Sequence, residues 1–183
     1  MMRGPGMRSS ITVAVVVSTL WMASALAVQA ETGSVNGRSN LTRELQGAWL
    51  PLESGLAVSA GEGTPLSAKY EIDDGAFQLS IYTSKTGPSS ADAFMEVIVD
   101  YSSGVVLKVE TISDGGDLAA AQAQKAAMDR ARRSLAEATA DAVTANAGYR
   151  AVSAMPSLDN GHPVAEVTLV QGDDWKVVIE RLD

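Results

Sequence analysis

The sequence predicts an α+β protein in which helices lie across antiparallel sheet, in the order helix, four strands, helix, three strands. Three observations lead there. Residues 41–59 and 118–147 repeat apolar side chains every three or four positions, the period of one helix face. Between and after them, short runs alternate apolar and polar residues, the period of a half-buried strand. Turn dipeptides such as Asp74-Gly75 join those runs and favour tight hairpins, hence antiparallel neighbours.

The first thirty residues stand apart. Arg3 and Arg8 precede a run without charge from 9 to 30, apolar or small from 11 to 28 and closed by Val28-Gln29-Ala30. A basic start, an apolar stretch and small residues at the cleavage positions describe a secretory signal cut after Ala30. The rival reading is an uncleaved anchor, since about 18 apolar residues is the low edge of what spans a bilayer. No Cys is present to carry a lipid. Export without disulfides fits a bacterial periplasm or secretion.

Residues 31–40, rich in Gly, Ser and Asn, read as a mobile leader. The first helix, 41–59, places Leu41, Leu45, Ala48, Trp49, Leu52 and Leu56 on one face. Pro51 works against it, because an interior Pro costs about 3 kcal/mol and kinks or ends a helix. Tyr70 and Ile72 then alternate with Lys69, Glu71 and Asp73, and Phe77, Leu79 and Ile81 with Gln78, Ser80 and Tyr82. Residues 84–92 form a polar loop. Strands follow at 94–101 and 105–110, joined through Ser102-Ser103-Gly104.

Asp114-Gly115-Gly116-Asp117 breaks the sheet, with Asp117 as the expected N-cap of a helix over 118–147 that stops at Gly148. Its stripe of Leu118, Ala121, Met128, Ala131, Leu135, Ala138, Ala142 and Ala145 is mostly Ala, suited to lying close to a flat sheet. Asp129 with Arg133, and Arg133 with Glu137, form expected i,i+4 pairs worth a few tenths of a kcal/mol. Thirty residues would span about 45 Å, so a break or overhang is expected at the N-terminal end. The last strands are 149–155, 164–170 and 175–182, with turns at 157–161 and 172–174.

Two units follow, 41–113 and 114–183, each with its helix laid over its own sheet. Two registers relate them. One matches Ile72-Asp73-Asp74-Gly75 to Leu158-Asp159-Asn160-Gly161; the other matches Glu96-Val97 to Glu166-Val167. The two are incompatible in detail, and the turn-to-turn match is preferred.

At these residues the chain resembles the PepSY domain family. Phe94-Met95-Glu96-Val97-Ile98-Val99-Asp100 followed by Ser103-Gly104-Val105-Val106-Leu107 is similar to that family's aromatic-Glu-Val strand, Val-Asp end, Gly turn and closing strand. Gly148 to Val152, then Gly161 to Val167, resembles the same frame, but Ala165 replaces the aromatic and the chain stops where a Gly turn would follow. The resemblance implies a helix over a hairpin-rich sheet. It also implies a role in restraining or helping to fold a peptidase near the cell envelope.

Composition narrows the function. The chain has 183 residues, 14 Lys and Arg against 22 Asp and Glu, a net charge of −8, one His and no Cys. That charge disfavours nucleic acid and anionic lipid, which call for clustered Lys and Arg. Without Cys there is no thiolate nucleophile or zinc–thiolate site.

His162, beside Gly161 and Pro163, reads as an exposed turn residue rather than a base serving Ser157 and Asp159. The acidic turns at Asp73-Asp74, Asp114/Asp117, Asp159 and Asp173-Asp174 lack the spacing of a calcium loop and suit tight turns. Glu96 and Glu166 could form a carboxylate pair only in an apolar cleft, whereas strand alternation puts Glu96 opposite Val97 and Val99.

The expected function is therefore a non-enzymatic, cofactor-free exported binding module that blocks a peptidase with a strand edge or hairpin tip. Asp73, Asp74, Gly75, Phe94 and Trp175 are the candidate contact residues, with Trp175 the candidate exposed anchor and its strand a candidate edge. The alternatives are an envelope protein that binds a cation or small ligand through the acidic turns, and a structural oligomer or homodimer paired through strand edges.

Overall fold

The computed structural model describes residues 35–86 and 92–183; the expected signal at 1–30 and part of the polar loop lie outside the described residues. The protein is α+β, as expected. Helices α1 (Val35–Leu45) and α2 (Leu52–Ser59) and a 3₁₀ turn (Ala60–Glu62) precede strands β1 (Thr64–Asp73), β2 (Ala76–Thr86), β3 (Asp92–Val99) and β4 (Val106–Ile112). Helices α3 (Gly115–Met128) and α4 (Leu135–Ala145) precede β5 (Arg150–Asp159), β6 (His162–Gln171) and β7 (Asp174–Arg181).

All seven strands share one sheet, in the order β4-β3-β2-β1-β5-β6-β7, with every neighbouring pair antiparallel. The expectation of one sheet per unit is thus corrected. The halves meet where β1 pairs with β5, at Ala68 opposite Ala154 and Lys69 opposite Ser153. The strand count of four then three holds.

Each expected helix is in fact a pair. The first breaks over residues 46–51, where Pro51 sits at the N-cap of α2 with extended backbone. The Pro has no N–H to give and takes the one position that does not need it. Upstream, helix begins at Val35, inside the expected leader. Docking overrides the polar composition there: Leu41 and Leu45 are buried, and the Arg38 guanidinium lies 5.7 Å from the Trp175 ring centre.

The second helix breaks in the middle, not at its N-terminal end. Ser134 begins α4 with a capping box: its hydroxyl accepts the Glu137 N–H (3.2 Å), and the Glu137 carboxylate accepts the Ser134 N–H (2.9 Å). The N–H groups of Arg132 and Arg133 both donate to the Leu182 carbonyl, at 2.6 and 3.1 Å. The expected ion pairs re-sort accordingly. Asp129 meets Lys125 at 2.7 Å, Arg133 meets Asp141, and Glu137 serves the cap. Asp114, not Asp117, is the N-cap of α3.

The break lets the two pieces cover opposite faces. α2 and α4 pack side by side on the face that carries Ala68, Leu79, Ile81, Val97 and Val167. There a Cβ on Gly55 would come within 2.6 Å of a Leu79 methyl, so the glycine sets how near α2 can lie. α3 crosses the other face: Ala121 packs with Leu66 and Phe94, and Ser67 donates to Gln124 at 2.8 Å.

The two turns matched from sequence share their backbone geometry. Asp74 and Asn160 share left-handed backbone (φ 46° and 50°), as do Gly75 and Gly161 (81° and 84°). A bulge between Pro65 and Ser67 in β1 recurs between Ala151 and Ser153 in β5, burying Leu66 and Val152. Phe94 and Trp175 are equivalent as well, since their partners Ser84 and Val170 correspond in that register. Matching Glu96 to Glu166 instead lays the β3–β4 hairpin on the β6–β7 hairpin, each ending in an edge strand. Two contacts cross between the halves while each helix also packs on strands of its own half: α3 covers Phe94 of the first half, and Arg38 of α1 reaches Trp175 of the second.

Ser134→Ala should lower stability by about 1 kcal/mol. The check is the urea midpoint, read with an unchanged slope.

Candidate functional site

The strongest candidate is the corner where the α1–α2 linker crosses the β3–β4 turn. Pro51 and Gly47 end helical structure on either side of Trp49, so its side chain leaves the helix face to which the apolar period assigned it. Trp49 is 81% exposed. Its backbone is nevertheless tied down. The N–H groups of Trp49 and Leu50 both donate to the Tyr101 carbonyl, at 3.0 and 2.9 Å. Arg150 donates to the carbonyls of Leu45 (2.8 Å) and Ala48 (2.9 Å), and the Tyr70 hydroxyl donates to that of Leu50.

A row of rings lies beneath the linker. The Arg150 guanidinium sits 5.5 Å from the Tyr70 ring centre. Tyr70 stacks on Phe77 at 5.6 Å, and Phe77 meets Tyr101 at 4.8 Å. Burial pushes the Tyr70 hydroxyl up to about 12 against the opposing pull of Arg150, so it stays a neutral donor.

The β3–β4 turn is fixed by Asp100. One of its carboxylate oxygens accepts the N–H groups of Ser102 (2.9 Å) and Ser103 (2.6 Å) and both their hydroxyls. These bonds hold its carboxyl well below the usual carboxylate range, the Ser102 hydroxyl contributing most. Gly104, in left-handed backbone (φ 75°), completes the turn and brings its Cα against Leu50. Val99, Asp100 and Gly104 together shape this corner. Val105 and Leu107 continue from it with exposed side chains along β4, an edge strand.

The residues singled out from sequence do not form one site. Asp73, Asp74 and Gly75 make the tip of the β1–β2 hairpin. Phe94 is 6% exposed beneath α3, so its substitution would test folding. Trp175 is packed against the core under Arg38 rather than standing out as an anchor. Its strand, β7, is the edge strand expected. Trp49 is the aromatic that sequence reading misplaced, and Pro51 was the available signal.

The other candidates separate too. Glu96 accepts the Ser80 hydroxyl at 2.5 Å on β3, while Glu166 is exposed on β6. With β2, β1 and β5 between them, they stand about 19 Å apart at ~4.8 Å per strand, too far to act as a pair. The tips at Asp73-Asp74 and Asp159 project from opposite ends of the sheet, since β1 and β5 are antiparallel. Among the described residues no three His, Asp or Glu side chains converge as a metal site would require. His162 is exposed and meets Asp183 at 2.7 Å through Nδ1, with Arg181 beside it. Neither Ser157 nor Asp159 is its hydrogen-bond partner.

Comparison with protein-family models, curated proteins and solved structures returns no match.

The C-terminal cluster gives a pH prediction. Arg181 first, then His162, holds the Asp183 carboxyl down at about 2, from an ordinary 3.8. A carboxyl lowered in the folded state stabilises fully above its unfolded value. That contribution should fade as pH falls from 3.8 through about 2. Asp183→Asn should remove that part of the acid limb, read from melting temperature against pH.

Proposed function

We propose that this protein is a non-enzymatic binding module of the cell envelope that restrains a peptidase, with the Trp49 corner entering the partner's cleft. The two halves are read as degenerate PepSY-like units joined in one sheet. The observation that carries the proposal is the indole of Trp49, 81% exposed on a linker whose backbone is anchored to Tyr101, Arg150 and Tyr70. A large aromatic held ready loses little freedom on binding, and such residues dominate contact energy at interfaces.

Val105 and Leu107 extend the apolar surface along β4, whose outer backbone edge can pair with an extended segment in the cleft. The residues that carry the PepSY resemblance build β3, its turn and β4, so the resemblance and the exposed indole fall on the same corner. Blockade then needs no chemistry from this chain: the partner's cleft is filled by a rigid wedge.

The test is inhibition of a peptidase that the purified protein retains from envelope extract, identified by mass spectrometry. Trp49→Ala should weaken inhibition at least about tenfold, the scale of an interface hot spot, with the melting temperature unchanged. Unaltered inhibition by that variant would remove the corner from the mechanism. Failure to inhibit any retained peptidase would remove the peptidase reading itself.

A further inference from the structure

The second edge of the sheet, β7, carries a sequence complementary to itself. It runs Trp175-Lys176-Val177-Val178-Ile179-Glu180-Arg181. If a second copy is turned about a two-fold axis through Val178, Lys176 faces Glu180 and Val177 faces Ile179 on both sides of the axis. Neighbouring registers lose this. Centring on Val177 sets Asp174 against Glu180, and centring on Ile179 sets Val178 against Glu180. Like charges, or a charge against an apolar side chain, disfavour both slips.

The backbone offers its free groups where this pairing needs them. Gln171 and Asp174 close the two-residue turn between β6 and β7, and the closing pair of such a hairpin exchanges both its hydrogen bonds. Alternate residues from Asp174 onward therefore point their N–H and C=O at β6. Leu182 keeps that phase, its N–H donating to the Pro163 carbonyl at 3.0 Å. Val177 and Ile179 point theirs outward. At the far end the Arg181 carbonyl is already taken by the Arg133 guanidinium at 3.3 Å, which limits the open edge to the segment around Val178.

The two edges of the sheet differ. β4 pairs with β3 through a register shift at Ile98/Val99, whereas β7 pairs with β6 without one and contains no Pro. Bulges and prolines are what usually blunt an exposed edge. At the middle of β7 the exposed side chains are apolar, Val177 being 53% and Ile179 58% exposed.

We propose that the protein forms a two-fold dimer by antiparallel β7–β7 pairing centred on Val178. Val177 and Ile179 of the second copy exchange both main-chain hydrogen bonds, and Ile179 and Val177 do so in return. Their side chains cover one another on one face. On the other, Lys176, whose ammonium lies 3.6 Å from the Tyr149 ring centre in the single chain, turns outward to pair with Glu180 of the second copy. This is a self-complementary interface of the kind a closed two-fold requires. It leaves the Trp49 corner free and stands independently of the peptidase reading.

The chain contains no Cys, so a single introduced thiol reports the axis directly. Val178 meets itself at a pair without mutual hydrogen bonds, where Cα atoms lie about 4.5 Å apart, within disulfide reach. Val178→Cys under oxidised glutathione should give a covalent dimer on a non-reducing gel, and Leu107→Cys on the opposite edge should not. In sedimentation velocity the purified protein should show a concentration-dependent dimer. Lys176→Glu and Glu180→Lys should each weaken it about tenfold, and the double variant should restore it. A monomer throughout, a dimer indifferent to the charge reversals, or no covalent dimer from Val178→Cys would each overturn the proposal.

Discussion

The narrow seam between β1 and β5 is the constraint on which the rest of the structure depends. Only Ala68 with Ala154 and Lys69 with Ser153 pair across it. Both alanines are almost wholly buried, and they lie beneath the place where α2 and α4 meet. Small side chains are needed there because two helices from different halves must descend onto the same strip of sheet. A larger residue would lift both helices, since well-packed interiors accommodate extra methylenes poorly. The seam fixes the sheet order, and the sheet order places one unpaired edge at each end.

Arg150 connects that seam to the exposed corner. It begins β5 in the second half, yet it satisfies the Leu45 and Ala48 carbonyls of the first-half linker and lies over Tyr70. Carbonyls left open at the end of α1 would otherwise need water or another partner. One guanidinium thus closes a helix end, covers an aromatic ring and fixes the segment that displays Trp49. The corner is built by both halves, although the indole it displays comes from the first.

Much of this was legible in the sequence. Strand alternation, the Asp-Gly and Asn-Gly turns and the alanine-rich stripe predicted the antiparallel sheet, its hairpins and its close-packed helices. What period alone could not show was where a helical stripe changes faces. Leu118, Ala121, Leu135 and Ala138 keep one spacing, but a capping box at Ser134 and Glu137 divides them between opposite sides of the sheet. That box is written in the sequence as Ser-x-x-Glu, and Glu137 was assigned to an ion pair instead. Trp49 was misplaced for a related reason: the apolar period runs on through Pro51, whereas the helix does not. The contacts that α1 and α3 make across the halves, and the reach of Arg150 to a linker about a hundred residues away, are tertiary contacts that no local pattern encodes.

These contacts across the halves also bear on the order in which the chain can complete itself. α1 is the first described element, and the ring beneath its Arg38 belongs to the last strand. A chain delivered from its N-terminus holds Arg38 without its ring until β7 has emerged. Pairing of β1 with β5 likewise waits for the second half. Contacts this distant in sequence make folding slow and leave the early half open in the meantime. The contacts of Arg38 with Trp175 and of β1 with β5 therefore form last, once the second half of the chain has been delivered.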